Sequence, residues 1–215
     1  MALKIQIKKK LLLIYIFLAF LISSKSQQDA MFTYYMFNSQ SINPAYVGSK
    51  DVINVTMLNR SQWTGFEGAP WSHTISLSTP LINESLGFGL SFSNDVIGPS
   101  TLNNFTLDFA YHLKLNNPNH RLSMGVKVGG NHTRIDLNSL ELDDQNDPSF
   151  NVDNIGKFMP NFGFGFYYYT TKWYLGVSSP QLVNYDFNSS QRHYFIRAGA
   201  VLKITDNLKI RPSSF

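Results

Sequence analysis

Cysteine is absent from this chain of 215 residues, so neither a disulfide framework nor a thiolate metal site is open to it. Long apolar runs are scarce as well. Beyond residue 26 no stretch approaches 18 consecutive apolar residues, which excludes membrane-spanning helices from the rest of the chain. Catalytic spacing is missing too. The five histidines, His73, His112, His120, His132 and His193, show no HExxH or other ligand pattern, and no Ser, His and acid set is singled out. The glycine pairs Gly87-Phe-Gly89 and Gly163-Phe-Gly165 precede no helix and cradle no phosphate. Asp143, Asp144 and Asp147 lack the glycine and distal glutamate of a calcium loop and read as solvated loop acids. No enzyme activity, cofactor or metal is expected.

What is present begins with a leader. Lys4, Lys8, Lys9 and Lys10 precede an uncharged apolar run from Leu11 to Ile22, and Ser24-Lys25-Ser26 supplies small residues after it. Twelve apolar residues are too few to span hydrocarbon, which takes about 20. Residues 1–26 therefore read as a secretory signal peptide, cleaved between Ser26 and Gln27. Five lysines and no acids leave with it. The remainder carries thirteen basic and fourteen acidic residues, so the formal +4 charge belongs to the leader and argues for no nucleic-acid partner.

The exported part alternates. Phe105, Leu107, Phe109, Tyr111 and Leu113 oppose Asn104, Thr106, Asp108, Ala110 and His112, while Leu86, Phe88, Leu90 and Phe92 oppose Gly87, Gly89, Ser91 and Ser93. Period two over about ten residues, rich in aromatics, is the pattern of an outer-membrane barrel strand. The alternation predicts strands over Val52–Arg60, Trp71–Thr79, Leu86–Ser93, Asn103–Leu113, Arg121–Thr133, Asn161–Tyr169, Lys172–Ser178 and His193–Lys203, with a ninth from Asn207. A β-sandwich also alternates. Two features favour the barrel. Connections run long and short in turn, so long loops gather on one side. Aromatics crowd the strand ends at Trp63, Trp71, Tyr111, Tyr167, Tyr168, Tyr169, Trp173 and Tyr174, where rings settle at the headgroup level. Closing a sheet also leaves no backbone amide unpaired in lipid, which suits an exported chain without disulfides.

The small, polar parity reads as a lumen wall, and the charges on it, Asp108, Lys127, Arg197 and Lys203, are cheap facing water and costly in lipid. Residues 27–49 precede the barrel proper at 50–215. With Met31, Phe32, Tyr34, Tyr35, Met36 and Phe37 this segment is too aromatic for a solvated tail, and is expected either to plug the lumen or to dock on a partner. A second candidate binding region is the long-side loop carrying Trp63, Phe66 and Glu67 beside Gly65 and Gly68, a composition that suits an anchor in a partner's pocket or in the membrane interface.

QQDAMFTYYMFNSQSINPAYVGS at Gln27–Ser49 resembles the opening of PorP/SprF family proteins of the type IX secretion and gliding system of Bacteroidetes. The likeness continues through NRSQWTGFEGAPWSHTISLSTPL (Asn59–Leu81), LGFGLSFSNDVIGPS (Leu86–Ser100), LDFAYHLKL (Leu107–Leu115), RLSMGVKVG (Arg121–Gly129), LNSLELDDQNDPSF (Leu137–Phe150) and PNFGFGFYYYTTKWYLGVSSPQL (Pro160–Leu182). The resemblance implies an all-β, antiparallel transmembrane barrel in the cell outer membrane, in contact with its lipid. It also implies partnership with other type IX secretion components, and with an exported surface protein whose secretion or attachment it assists. Family members run on for several more strands, so this chain is expected to be the N-terminal portion of a barrel. A solute porin and a soluble β-sandwich adhesin are the alternatives.

Overall fold

Strands β1 (Asn54–Ser61), β2 (Trp71–Pro80), β3 (Leu86–Ile97), β4 (Ser100–Lys114), β5 (His120–Ile135), β6 (Ile155–Thr170), β7 (Trp173–Ser179) and β8 (Phe195–Ala200) follow one another along the chain. Each pairs antiparallel with the next, and β11 (Ser213–Ser214) adds beside β8 to complete a nine-stranded sheet. A separate hairpin joins β9 (Leu202–Thr205) to β10 (Leu208–Ile210). The computed structural model describes residues 37–81, 84–117, 119–137, 155–184, 192–205, 208–210 and 212–214, all within one compact unit, Phe32–Phe215. The Ser26–Gln27 junction, Tyr34, Tyr35 and the acids Asp143, Asp144 and Asp147 lie outside the described residues.

The predicted strands are found, with informative differences in length. β3 runs on to Ile97 and β4 starts at Ser100, so the connection expected over Asn94–Thr101 contracts to Gly98-Pro99, with Gly98 at φ +53°. Polar Asn94 and Asp95 hid that extension, because they interrupt the apolar run while keeping the strand's hydrogen bonds to Asn103 and Leu102. β6 starts at Ile155, six residues before the expected Asn161, and pairs there with Ile135. The eighth predicted strand breaks at Val201, which puts Lys203 in the β9–β10 hairpin and not on the lumen wall.

Register sets the two faces. Phe109, Val126 and Phe164 are cross-strand neighbours on one face, while Asp108 faces Lys127 and Ala110 faces Gly125 on the other. The sorting is the inverse of a soluble protein's. Phe109 is 46% exposed and Phe166 47%, whereas Asp108 and Ser123 are fully buried. Among the described residues the buried apolar side chains are few: Ile42, Pro44, Ala45, Val47, Ala110 and Met159. A sandwich buries its large side chains between two sheets; this sheet turns them outward, as a lipid-facing barrel wall does.

The wall curls around its own N-terminal segment. Residues 38–48 touch β2 through Gly48 and Ser78, and reach β8 through Ser39 and Arg197. In a flat sheet those strands stand six spacings apart, roughly 29 Å. A segment of eleven residues folded into two 3₁₀ turns, Ser39–Ser41 and Pro44–Tyr46, reaches both only if the sheet bends round it. β1 and β11 carry the sheet's two edges, and no pairing joins them among the described residues.

Candidate functional site

The lumen is occupied. Asn43 caps the second 3₁₀ turn, its Oδ1 accepting from Ala45 N at 2.9 Å, and Pro44 fills the first position of that turn, where a missing N–H costs nothing. The resulting knot is small and presents polar groups to several strands at once. Gln40 Nε2 donates to Ser91 Oγ (3.0 Å) on β3 and to Asp108 Oδ2 (3.1 Å) on β4. Lys127 Nζ lies 2.9 Å from Asp108 Oδ1 and donates to the Gln40 carbonyl at 3.3 Å. Asn43 Nδ2 donates to the Phe166 carbonyl on β6 at 3.1 Å. Arg197 on β8 donates to Ser39 Oγ and lies 5.4 Å from the Tyr174 ring centre.

His112 fixes the far end of the plug. Its Nε2 is 2.9 Å from the Val47 carbonyl, which can only accept, so that nitrogen carries a proton. In the neutral ring Nδ1 is then left to accept from the Ser123 hydroxyl. Both ring nitrogens are used by structure, which leaves the imidazole no free base for chemistry.

Glycine makes room for the knot. A Cβ on Gly87 would stand 2.1 Å from the Val47 carbonyl oxygen, one on Gly125 2.3 Å from Ala45 N, and one on Gly165 2.2 Å from Asn43 Oδ1. These strands lack side chains where the plug backbone lies. The alternation Gly87, Gly125, Gly165 is thus a floor cut to the shape of residues 43–48, and only a small cleft lined by Asn43, Tyr46, Tyr167 and Arg197 remains beside it.

Parity corrects part of the aromatic reading. Tyr111, Tyr168, Trp173 and Trp71 face outward as expected, but Tyr167, Tyr169 and Tyr174 point into the lumen. Tyr167 packs edge-on against Tyr46 of the plug with ring centres 5.6 Å apart, and Tyr169 meets His112. The alternation of Phe162, Phe164 and Phe166 against Gly163 and Gly165 already puts Tyr167 and Tyr169 on the inward parity, and the placement of rings at a strand end had masked it.

At the short-turn end Arg121 sits between Asp51 (3.2 Å) and Glu84 (3.3 Å). Both carboxylates are about half exposed, so this pair of contacts is worth little. Arg121→Ala is expected to change unfolding free energy by about 1 kcal/mol or less, measured by urea titration in micelles, with the loss shrinking as salt is raised.

At the opposite end the β1–β2 loop is ordered. Gln62 N donates to the Pro70 carbonyl (3.0 Å), Phe66 N to the Trp63 carbonyl (3.2 Å), and Gly98 N of the neighbouring turn to the Gly68 carbonyl (2.9 Å). Trp63 holds φ at +52°, a conformation that a bulky side chain rarely adopts. Trp63 is 71% exposed and Phe66 77%. Trp63, Phe66 and Glu67 therefore share one loop tip, while Phe37 belongs to a different element, immediately ahead of the plug. Gln40, Asn43 and His112, the residues that seat the plug, escaped the sequence reading. The aromatic composition of residues 27–49 left plugging open beside docking, and the repeated lumen glycines hinted that a second backbone passes close.

Residues 24–215 match the family model of the type IX secretion system membrane protein PorP/SprF. The chain belongs to the PorP/SprF family. No curated protein and no solved structure matches it. The residues of the plug, the glycine floor and the aromatic loop all fall inside the matched PorP/SprF region.

Proposed function

We propose that this PorP/SprF chain is a non-enzymatic, plugged barrel of the outer membrane that assists secretion or surface attachment of an exported protein, such as an adhesin, within the type IX system. The observation that carries this reading is the lumen filled by residues 38–48 against a glycine floor. A diffusion porin keeps its lumen open, and a wall shaped around a plug argues against that use. The aromatic loop supports a docking role. Backbone strain at Trp63, of the order of 1 kcal/mol, would be relieved by glycine, yet a large exposed ring is kept there.

Deleting the gene in its own host is expected to remove one exported protein from the cell surface without changing uptake of small solutes. Reduced solute uptake with normal surface display would overturn the reading in favour of a porin. Replacing Trp63 and Phe66 together by alanine is expected to weaken retention of that exported protein by about 2 kcal/mol, roughly thirty-fold, with barrel assembly unchanged. Pull-down from detergent-solubilised membranes against the wild type measures it.

A further inference from the structure

Asp108 is not the only buried acid on the inward face. Asp95, on the same parity of β3 and close to the long-loop rim, is 5% exposed. Asp108 has an ammonium at 2.9 Å. Among the described residues no lysine, arginine or histidine pairs with Asp95, and its Oδ1 has no hydrogen-bond partner. Arg60 and Lys157 lie in the same cross-strand row, but two and three strands away, about 10 and 14 Å across the sheet. Burying a carboxylate without a countercharge is costly, so such groups pair, take up a proton or hold a metal ion.

The surroundings of Asp95 offer oxygen. Ser72 stands opposite on β2 and donates to the carboxylate. One row further in, Ser93 lies between Thr74 on β2 and Asn104 on β4. Thr74 and Ser93 are buried, and Asn104 Oδ1 is a second buried oxygen without a partner. A carboxylate, an amide oxygen and three hydroxyls thus occupy adjoining positions on one patch of the wall. Oxygen sets suit hard cations, and calcium in particular takes about six to eight oxygens in flexible geometry, water among them.

The approach from the rim is negative. Ile135, opposite Ser100 beside the β3–β4 turn, leads into the β5–β6 connection, where residues 137–154 carry Glu141, Asp143, Asp144, Asp147 and Asp153 and no lysine, arginine or histidine. That segment has no base with which to neutralise Asp95, and its charge raises the local concentration of cations.

We propose that Asp95 and Asn104, with the hydroxyls of Ser72, Thr74 and Ser93, form a lumen site for a divalent hard cation, calcium, entered from the long-loop side. A single carboxylate makes the site weak, with a dissociation constant of about 0.1–1 mM, the range of extracellular modules. The full chain in detergent micelles is titrated with calcium chloride by isothermal calorimetry at fixed ionic strength, and its urea midpoint is read by gel mobility with and without saturating calcium. One site per chain and a higher midpoint with calcium are expected, with magnesium binding at least tenfold more weakly. Asp95→Asn should lose both the binding heat and the calcium gain, while being at least as stable as wild type without calcium, because no buried charge is then left alone. Asn104→Leu should assemble and weaken binding at least fivefold, and it decides alone should Asp95→Asn fail to assemble. Absence of binding heat in the wild type would overturn the proposal, as would unchanged affinity in Asn104→Leu. Stabilisation by acidification without any calcium response would overturn it in favour of a proton shared by the two oxygens. Binding that survives in Asp95→Asn would move the ion to the acidic connection, and an equal gain from sodium chloride would reduce the effect to screening; either result sinks the site.

Discussion

Lys127→Met is expected to lower the unfolding free energy by about 3–5 kcal/mol, the largest single effect in the molecule. Asp108 is fully buried and Lys127 4% exposed, so removing the ammonium strands a carboxylate that water cannot reach. Gln40 would remain as its donor, at 3.1 Å, and one neutral hydrogen bond does not replace a charge at 2.9 Å. Asp108→Asn is expected to cost a similar amount for the mirror-image reason. The double variant should recover much of the loss, because no buried charge is then left alone. Equilibrium urea unfolding in micelles, followed by gel mobility, reads all three. Additive losses in the double variant would show that the two groups do not act as a pair.

The second large effect concerns seating of the plug. Gly125→Val would drive a Cβ to 2.3 Å from Ala45 N and 2.4 Å from the Pro44 carbonyl carbon. Both are backbone atoms, so no rotamer change relieves the clash, and the segment must leave its floor. Residues 38–49 are then expected to become sensitive to protease, with cleavage at least tenfold faster than in wild type, while strands β4 to β6 stay folded. Ion conductance in planar bilayers should rise in parallel, because the lumen loses its filling. Val126→Leu, next door on the outward face, is the control and should change neither. Protection of residues 38–49 in Gly125→Val would mean that the plug does not depend on close approach to β5.

These two predictions draw on opposite kinds of sequence signal. The ion pair was half legible, since Asp108 and Lys127 both fall on the polar parity of neighbouring strands. Their direct register, and the Gln40 side chain and carbonyl that complete the pair, were not. The glycines at 87, 125 and 165 were read as a wall of little bulk. What approaches them was open, because a strand's alternation says which face is small and nothing about what lies against it. Trp63, Phe66 and Glu67 stood out by composition alone, and the structure adds that they share one ordered tip with Trp63 in a left-handed conformation.

Local periodicity determined the class: strands of period two, apolar outward and small inward, with long loops collected at one end. Those features depend on neighbours one to ten residues apart, and a linear pattern records them. Tertiary structure alone decided that residues 38–48 fill the lumen and that the β3–β4 connection is a two-residue turn. Such outcomes depend on contacts between residues up to 158 positions apart, as for Ser39 and Arg197. A hydrogen bond or a close approach of that kind is specified by sheet register and curvature, and neither is written in any single segment of the chain.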